Sequence, residues 1–288
     1  MLKRTLPLIP LALVAAFSAA QTTVTVTANN GITGDASATA ALINSTPGFV
    51  YNNVTNGTIG IDSTYGRSGN GSIHFTNLNG KGDVEFRNPS FSLGRLADLT
   101  SFGYDYYRSS LSTANPTLAP VLRLFVDVDG NNATTNDRGT IVYEPIYSRQ
   151  TQGISPNTIT DTWNTVDTTP TNGQFFIRFN SQNQYQGENG TIQNGVTLSY
   201  LTDPNTTGSL VALNNGLAAI YGFSVGYGTG FGGTFDGAAD NVRLGFSGGP
   251  NTTYNFERVS QPVPEPATMA ALGLGALGLL KRRKRAAK

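Results

Sequence analysis

The chain has 288 residues and no cysteine, so no disulfide can staple it and the fold must rest on its own core or on a bound metal. Of its 19 Lys and Arg, two lie near the start and six near the end, which leaves 11 basic against 18 acidic residues between them. That middle, near −7, excludes nucleic acid and anionic lipid as natural partners.

The first 20 residues read as a leader. Lys3 and Arg4 form a positive start, Leu6 to Phe17 an apolar stretch, and Ser18-Ala19-Ala20 offers small residues for signal peptidase to cut between Ala20 and Gln21. Residues 21–258 then form the body. About a third of the chain is Asn, Thr or Gly, which is turn-rich and β-prone chemistry. Thr22 to Thr27 alternates Thr and Val as an edge strand does, and 29–47 is small and polar, a loop or irregular lead-in. Clear strands come next at Ser72–Phe75 and Asp83–Phe86, then around Phe102, Tyr104 and Tyr106. Val121–Val128 turns Leu122, Leu124 and Val126 inward and Arg123 and Phe125 outward. Ile141–Glu144, Phe175–Phe179, Ile220–Val225, Val242–Phe246 and Thr253–Phe256 complete the set. Only Leu210–Ala219 offers a helical turn. Many short strands between Gly/Asn/Asp loops predict an all-β, two-sheet antiparallel sandwich.

Chemistry-bearing residues are sparse. A single histidine, His74, and no cysteine leave neither a zinc site of three histidines nor a plausible catalytic triad, and no strand carries the clustered acids of a glycosidase. The expectation is no enzyme. Asp127-Val128-Asp129-Gly130-Asn131 presents Asp127, Asp129 and Asn131 at alternate positions across a glycine turn, the front of an oxygen-lined calcium loop. Twelfth in such a loop a helix-flanked site needs Glu, and this chain has Arg138, so that version is excluded and a solvated hairpin turn is the competing reading. For sugar binding, aromatic faces stack on pyranose rings and Arg bonds hydroxyls; Arg123, Tyr143, Trp163 and Arg178 are the candidates. Tyrosines lining a sandwich core are the alternative.

The last segment is organised differently. Residues 259–266 form a proline-rich linker ending in Pro264-Glu265-Pro266. Residues 267–288 begin with 14 uncharged residues, about 21 Å as a helix, short against a hydrocarbon core of about 30 Å. Lys281 to Arg285 then resist translocation.

Pro264-Glu265-Pro266, a short glycine-rich apolar helix and a basic end resemble the PEP-CTERM sorting signal read by exosortases. The resemblance covers residues 262–288. It implies an exosortase-type processing enzyme as partner, transient anchoring in the membrane through the C-terminal segment, and delivery to the cell surface or extracellular matrix. A second resemblance concerns the body. Gly66-Arg67-Ser68-Gly69-Asn70-Gly71-Ser72-Ile73-His74-Phe75 is similar to an early strand of jelly-roll carbohydrate-binding modules, and Phe235-Asp236-Gly237-Ala238-Ala239-Asp240-Asn241-Val242-Arg243-Leu244 to their final strand. It implies a jelly-roll sandwich, an extracellular polysaccharide as ligand, and structural calcium near Asp236 and Asp240. The functional expectation is a non-catalytic envelope or biofilm-matrix protein. A ligand-free structural protein and a divergent glycoside hydrolase or lyase, dependent on Asp127 or Glu144, stay open.

Overall fold

Apolar residues alternating with polar ones dictate strands, and a computed structural model shows them. It describes residues 20–28, 31–33, 41–42, 48–52, 54–88, 90–179, 195–206, 213–228 and 232–259. Two compact units divide the chain, Met1–Arg258 and Val259–Lys288. The leader up to residue 19, Pro264, Glu265, Pro266 and the sorting helix expected over 267–288 all lie outside the described residues. Among the described residues no helix is long and apolar enough to cross a membrane.

The body is a sandwich of two mostly antiparallel sheets, as the alternation predicts. Sheet one holds β1 (Gln21–Ala28), β2 (Gly31–Thr33), β5 (Thr58–Asp62), β6 (Ser72–Leu78), β9 (Leu99–Arg108), β12 (Trp163–Thr168), β15 (Phe235–Phe246) and β16 (Asn251–Arg258). Sheet two holds β3 (Ala41–Leu42), β4 (Phe49–Asn52), β7 (Gly82–Arg87), β8 (Gly94–Arg95), β10 (Val121–Asp127), β11 (Arg138–Tyr143), β13 (Phe175–Phe179) and β14 (Ala219–Tyr227). The order across sheet two is β13-β11-β10-β14-β7-β4-β3. In sheet one the long β15 pairs with β9 along one edge and with β6 and then β16 along the other. β1 lies at the edge and pairs parallel with β16.

The two inner faces meet in aromatic contacts. Phe102 and Tyr104 of β9 pack on Tyr143 of β11, and Phe102 also on Phe175 of β13, with ring centroids 5.8–6.5 Å apart. A second node joins Phe49, Phe86 and Phe223 of sheet two to Tyr254 of sheet one, while Phe256 adds an edge contact to Phe49. Each buried ring contributes roughly 1.5–3 kcal/mol by leaving water, and each pair about 0.5–1.5 more. This corrects one expectation: Tyr143 is 5 % exposed, a core residue with no free face for a sugar. Its position on β11, two residues from buried Ile141 and so on the same face, puts the ring between the sheets.

Several elements differ from the sequence reading. β4, β5 and β12 are additional, and β2 and β3 fall in the stretch read as irregular. Among the described residues two short α-helices form, α1 (Pro145–Thr151), with proline at its first turn, and α2 (Leu198–Thr202), capped by the Thr197 hydroxyl; the helical turn expected over 210–219 falls partly outside the described residues. Proline suits a first helical turn, where its missing N–H leaves no bond unmade. It therefore ends β11 one residue before the Glu144 limit read from the sequence.

Candidate functional site

The outer face of sheet two is a groove of about 450 Å³. Strand register builds it in rungs. Phe176 of β13 lies opposite Val142, Val142 opposite Arg123, Arg123 opposite Ser224, and Ser224 opposite Glu85. Two residues along each strand the next rung runs Arg178, Thr140, Phe125, Gly222 and Arg87. β14 thus turns Gly222, Ser224 and Gly226 toward this face, between bulkier side chains on β10 and β7. Of these, Ser224 lines the groove, beside Tyr227 and Gly228 at the end of β14. A Cβ at Gly226 would overlap the Asp83 carboxylate and the Gly82 carbonyl, so that position tolerates only glycine.

The charged walls are partly committed. Arg123 donates to Asp83, and Arg87 donates to Glu85, which also accepts from Asn52 Nδ2 at 2.6 Å. Arg178 is exposed, its guanidinium 5.1 Å from the Phe176 ring centroid, and makes no ion pair with another described residue. Glu144 likewise has no ion partner among the described residues, and burial pushes its carboxyl above the usual range against the pull of Arg123 and Arg178. Arg178 and Glu144, with Lys81 at the rim, are the groups left to bind something.

The structure separates the other sugar candidates. Arg123 and Arg178 share the groove, whereas Trp163 sits on sheet one, opposite Tyr107 of β9. There it begins a row: Trp163 packs on Tyr107 at 5.9 Å, Tyr107 stacks on Tyr65 at 4.4 Å, and Tyr65 meets His74 edge-on at 5.0 Å. His74 is buried beside Asp62, 2.7 Å from its Nδ1.

The cation candidates are also redistributed. Carboxylate oxygens of Asp127, Asp129 and Asp137 lie within 4.8 Å of one another. Asn131, the third loop residue expected to take part, has its Oδ1 accepting the Ala133 N–H at 3.1 Å. Asp137 is legible only by pairing: Asp127 lies opposite Arg138, so the residue before Arg138 returns to the same hairpin end. Asp236 and Asp240 engage different partners. Asp236 accepts the Tyr65 hydroxyl at 2.7 Å, while Asp240 is fully buried and accepts the Phe256 and Asn241 N–H groups at 2.9 and 2.7 Å. Asp83 and Glu85 are groove residues that sequence reasoning missed, although their two-residue spacing around Val84 puts both on one face of β7.

Residues 262–285 match the family model of the PEP-CTERM protein-sorting motif. The chain carries a PEP-CTERM sorting signal. It is therefore an exported protein with a C-terminal sorting segment that an exosortase processes. The PEP-CTERM match covers the tail and leaves the body's activity to its own geometry. Comparison of the chain with curated proteins and with solved structures returns no match.

Proposed function

We propose that this protein is a non-catalytic component of the cell surface or exopolysaccharide matrix whose sheet-two groove holds a polysaccharide chain. Signal peptidase would cut between Ala20 and Gln21, where β1 begins, and the C-terminal segment would hold the protein in the membrane until exosortase acts. The observation that carries the ligand half is the groove lined by Arg123, Val142, Phe176 and Ser224, with Arg178 and Glu144 free of ion partners among the described residues beside it. An open trough along a strand suits an extended chain. A guanidinium and a carboxyl in reach of its hydroxyls or uronate groups give charge-assisted bonds worth about 1.5–3 kcal/mol each. The same observation argues for binding without cleavage. Hydrolysis needs two available carboxyls across the bond, and Asp83 and Glu85 are held by Arg123 and Arg87.

Affinity electrophoresis of the full-length protein through neutral and acidic polysaccharides tests this. The wild type is expected to be retarded by at least one glycan, and Arg178→Ala to weaken retention about tenfold to a hundredfold while leaving the melting temperature unchanged. Absence of retardation on every glycan would favour the ligand-free structural reading, and retardation of Arg178→Ala and Glu144→Gln as strong as that of the wild type would remove the groove as the binding site. Release of new reducing ends, lost in Glu144→Gln, would establish the hydrolase instead.

A further inference from the structure

The end of the β10–β11 hairpin carries an electrostatic arrangement that the groove does not use. Asp127 is fully buried and Asp137 is 2 % exposed, and their carboxylates lie within 4.8 Å of each other and of Asp129. Two ionised carboxylates cannot be taken out of water side by side without a compensating charge. The nearest compensation is Arg138, whose Nε donates to Asp127 Oδ2 at 3.1 Å. That guanidinium is held on one side, 5.0 Å from the Tyr221 ring centroid and bonded to Asn132 Oδ1 at 2.9 Å. One arginine against three acids leaves the group negative.

A single atom points to the kind of partner this charge calls for. Asp137 Oδ2 accepts the Asp129 N–H at 2.9 Å, but Asp137 Oδ1 is buried with no hydrogen-bond partner. An orphaned carboxylate oxygen inside a protein costs several kcal/mol unless a donor or a cation meets it. We propose that Asp127, Asp129 and Asp137 bind a calcium ion, and that Asp137 Oδ1 is one of its ligands.

The donor chemistry selects the ion. The three side chains offer oxygen alone, with no imidazole or thiolate among them, which suits a hard cation rather than zinc or copper. Calcium takes about six to eight oxygens at roughly 2.3–2.6 Å in flexible geometry, whereas magnesium demands a near-ideal octahedron, which three side chains at one hairpin end do not by themselves impose. Oxygens within 4.8 Å of one another are close enough to share one such ion. The surrounding bonds orient the ligands as an outer shell does. Asp129 accepts the Asn131 N–H at 2.8 Å and the Thr134 hydroxyl at 3.0 Å, and Asp127 Oδ1 accepts the Asn131 N–H at 3.1 Å. Asp129 is exposed and gives the ion its way in, with water completing the coordination. The ion would close the hairpin in a domain that has no disulfide.

Thermal unfolding of the full-length protein, stripped with a chelator and then titrated with calcium or magnesium chloride, tests the site. Calcium at a hundredfold excess over its dissociation constant is expected to raise the melting temperature by roughly 5 to 11 °C, and magnesium by less. Asp137→Asn is expected to melt no lower than the stripped wild type, because it removes a buried charge, and to lose the calcium shift. Asp129→Asn, at an exposed position that folding does not require, is expected to weaken the shift and decides the matter should Asp137→Asn fail to fold. No calcium shift in the wild type, or a full shift in Asp129→Asn and Asp137→Asn alike, would overturn the assignment. An equal magnesium shift would overturn the choice of calcium.

Discussion

Asp105 and Asp240 show how two buried carboxylates on neighbouring strands take opposite electrostatic characters. Burial alone would raise Asp105, but the hydrogen bond from Asn241 and the charges of Arg243 and Arg67 outweigh it and hold the carboxyl below its usual range. Asp240 has no such cation. Burial, reinforced by Glu257, pushes it up to about 7 against the N–H bonds from Phe256 and Asn241, and its Oδ2 has no partner. The folded protein favours protonated Asp240, so its contribution to stability is fully present below pH 3.8, the ordinary value, and is lost as the pH rises through about 7. The loss amounts to about 4 kcal/mol at most. Asp240→Asn keeps the acceptor for Phe256 and removes the charge. It is expected to melt within about 2 °C of the wild type at pH 4 and at least 5 °C above it at pH 8, on the order of what a few kcal/mol gives. Parallel melting curves for the two proteins across this range would contradict the assignment. Asp105→Asn should do the reverse. It leaves Arg67 and Arg243 without their shared partner and is expected to cost about 3 kcal/mol at neutral pH, read as a lower denaturation midpoint.

At the scale of elements, the hairpin of β10 and β11 depends on one backbone position. Gly130 has φ +68°, and a Cβ there would approach the Leu217 carbonyl oxygen to 2.6 Å. Gly130→Ala meets both the left-handed penalty and the close approach, so a loss of about 2 kcal/mol is expected from chemical denaturation. A neutral effect would mean that the turn relaxes without cost. The same hairpin shows what the sequence could and could not reveal. Leu122, Leu124 and Val126 are fully buried, as their two-residue period requires, and Arg123 faces the groove for the same reason. Strands with that contrast were legible: β6, β7, β9, β10 and β13 all appear where alternation places them. β12 was not, because Trp163-Asn164-Thr165-Val166-Asp167-Thr168 has two apolar residues and pairs along one edge only, with β9. β5 hides for a different reason: Gly60 separates Ile59 from Ile61, and the strand becomes evident only once it pairs with β6. Tyr143 was misplaced because an alternating strand does not say which of its faces is the core. Asp137 and Glu85 escaped because a site assembled across strands depends on register, which composition and spacing within one strand do not fix.

For the whole molecule, transport and folding are carried by different residues. Every strand pair among the described residues lies within the unit ending at Arg258, and the sorting motif spans 262–285. β16, the strand that ends at Arg258, is paired on both sides, with β1 and β15, so both of its edges are satisfied within that unit. The apolar stretch before the basic end is too short to span a bilayer comfortably, which suits a segment that is cut rather than kept. Replacing Pro264, Glu265 and Pro266 together by alanine is therefore expected to block processing, leaving a product heavier by the tail in the membrane fraction, detectable by intact-mass measurement. The wild type should be recovered lighter and outside the membrane. Because the core is untouched, the processed and unprocessed forms should melt within about 2 °C of one another once solubilised. A variant processed as efficiently as the wild type would remove the motif's role. Wild type recovered from the cytosol at its full 30.4 kDa would remove the division of labour itself, since neither end would then be acting in transport.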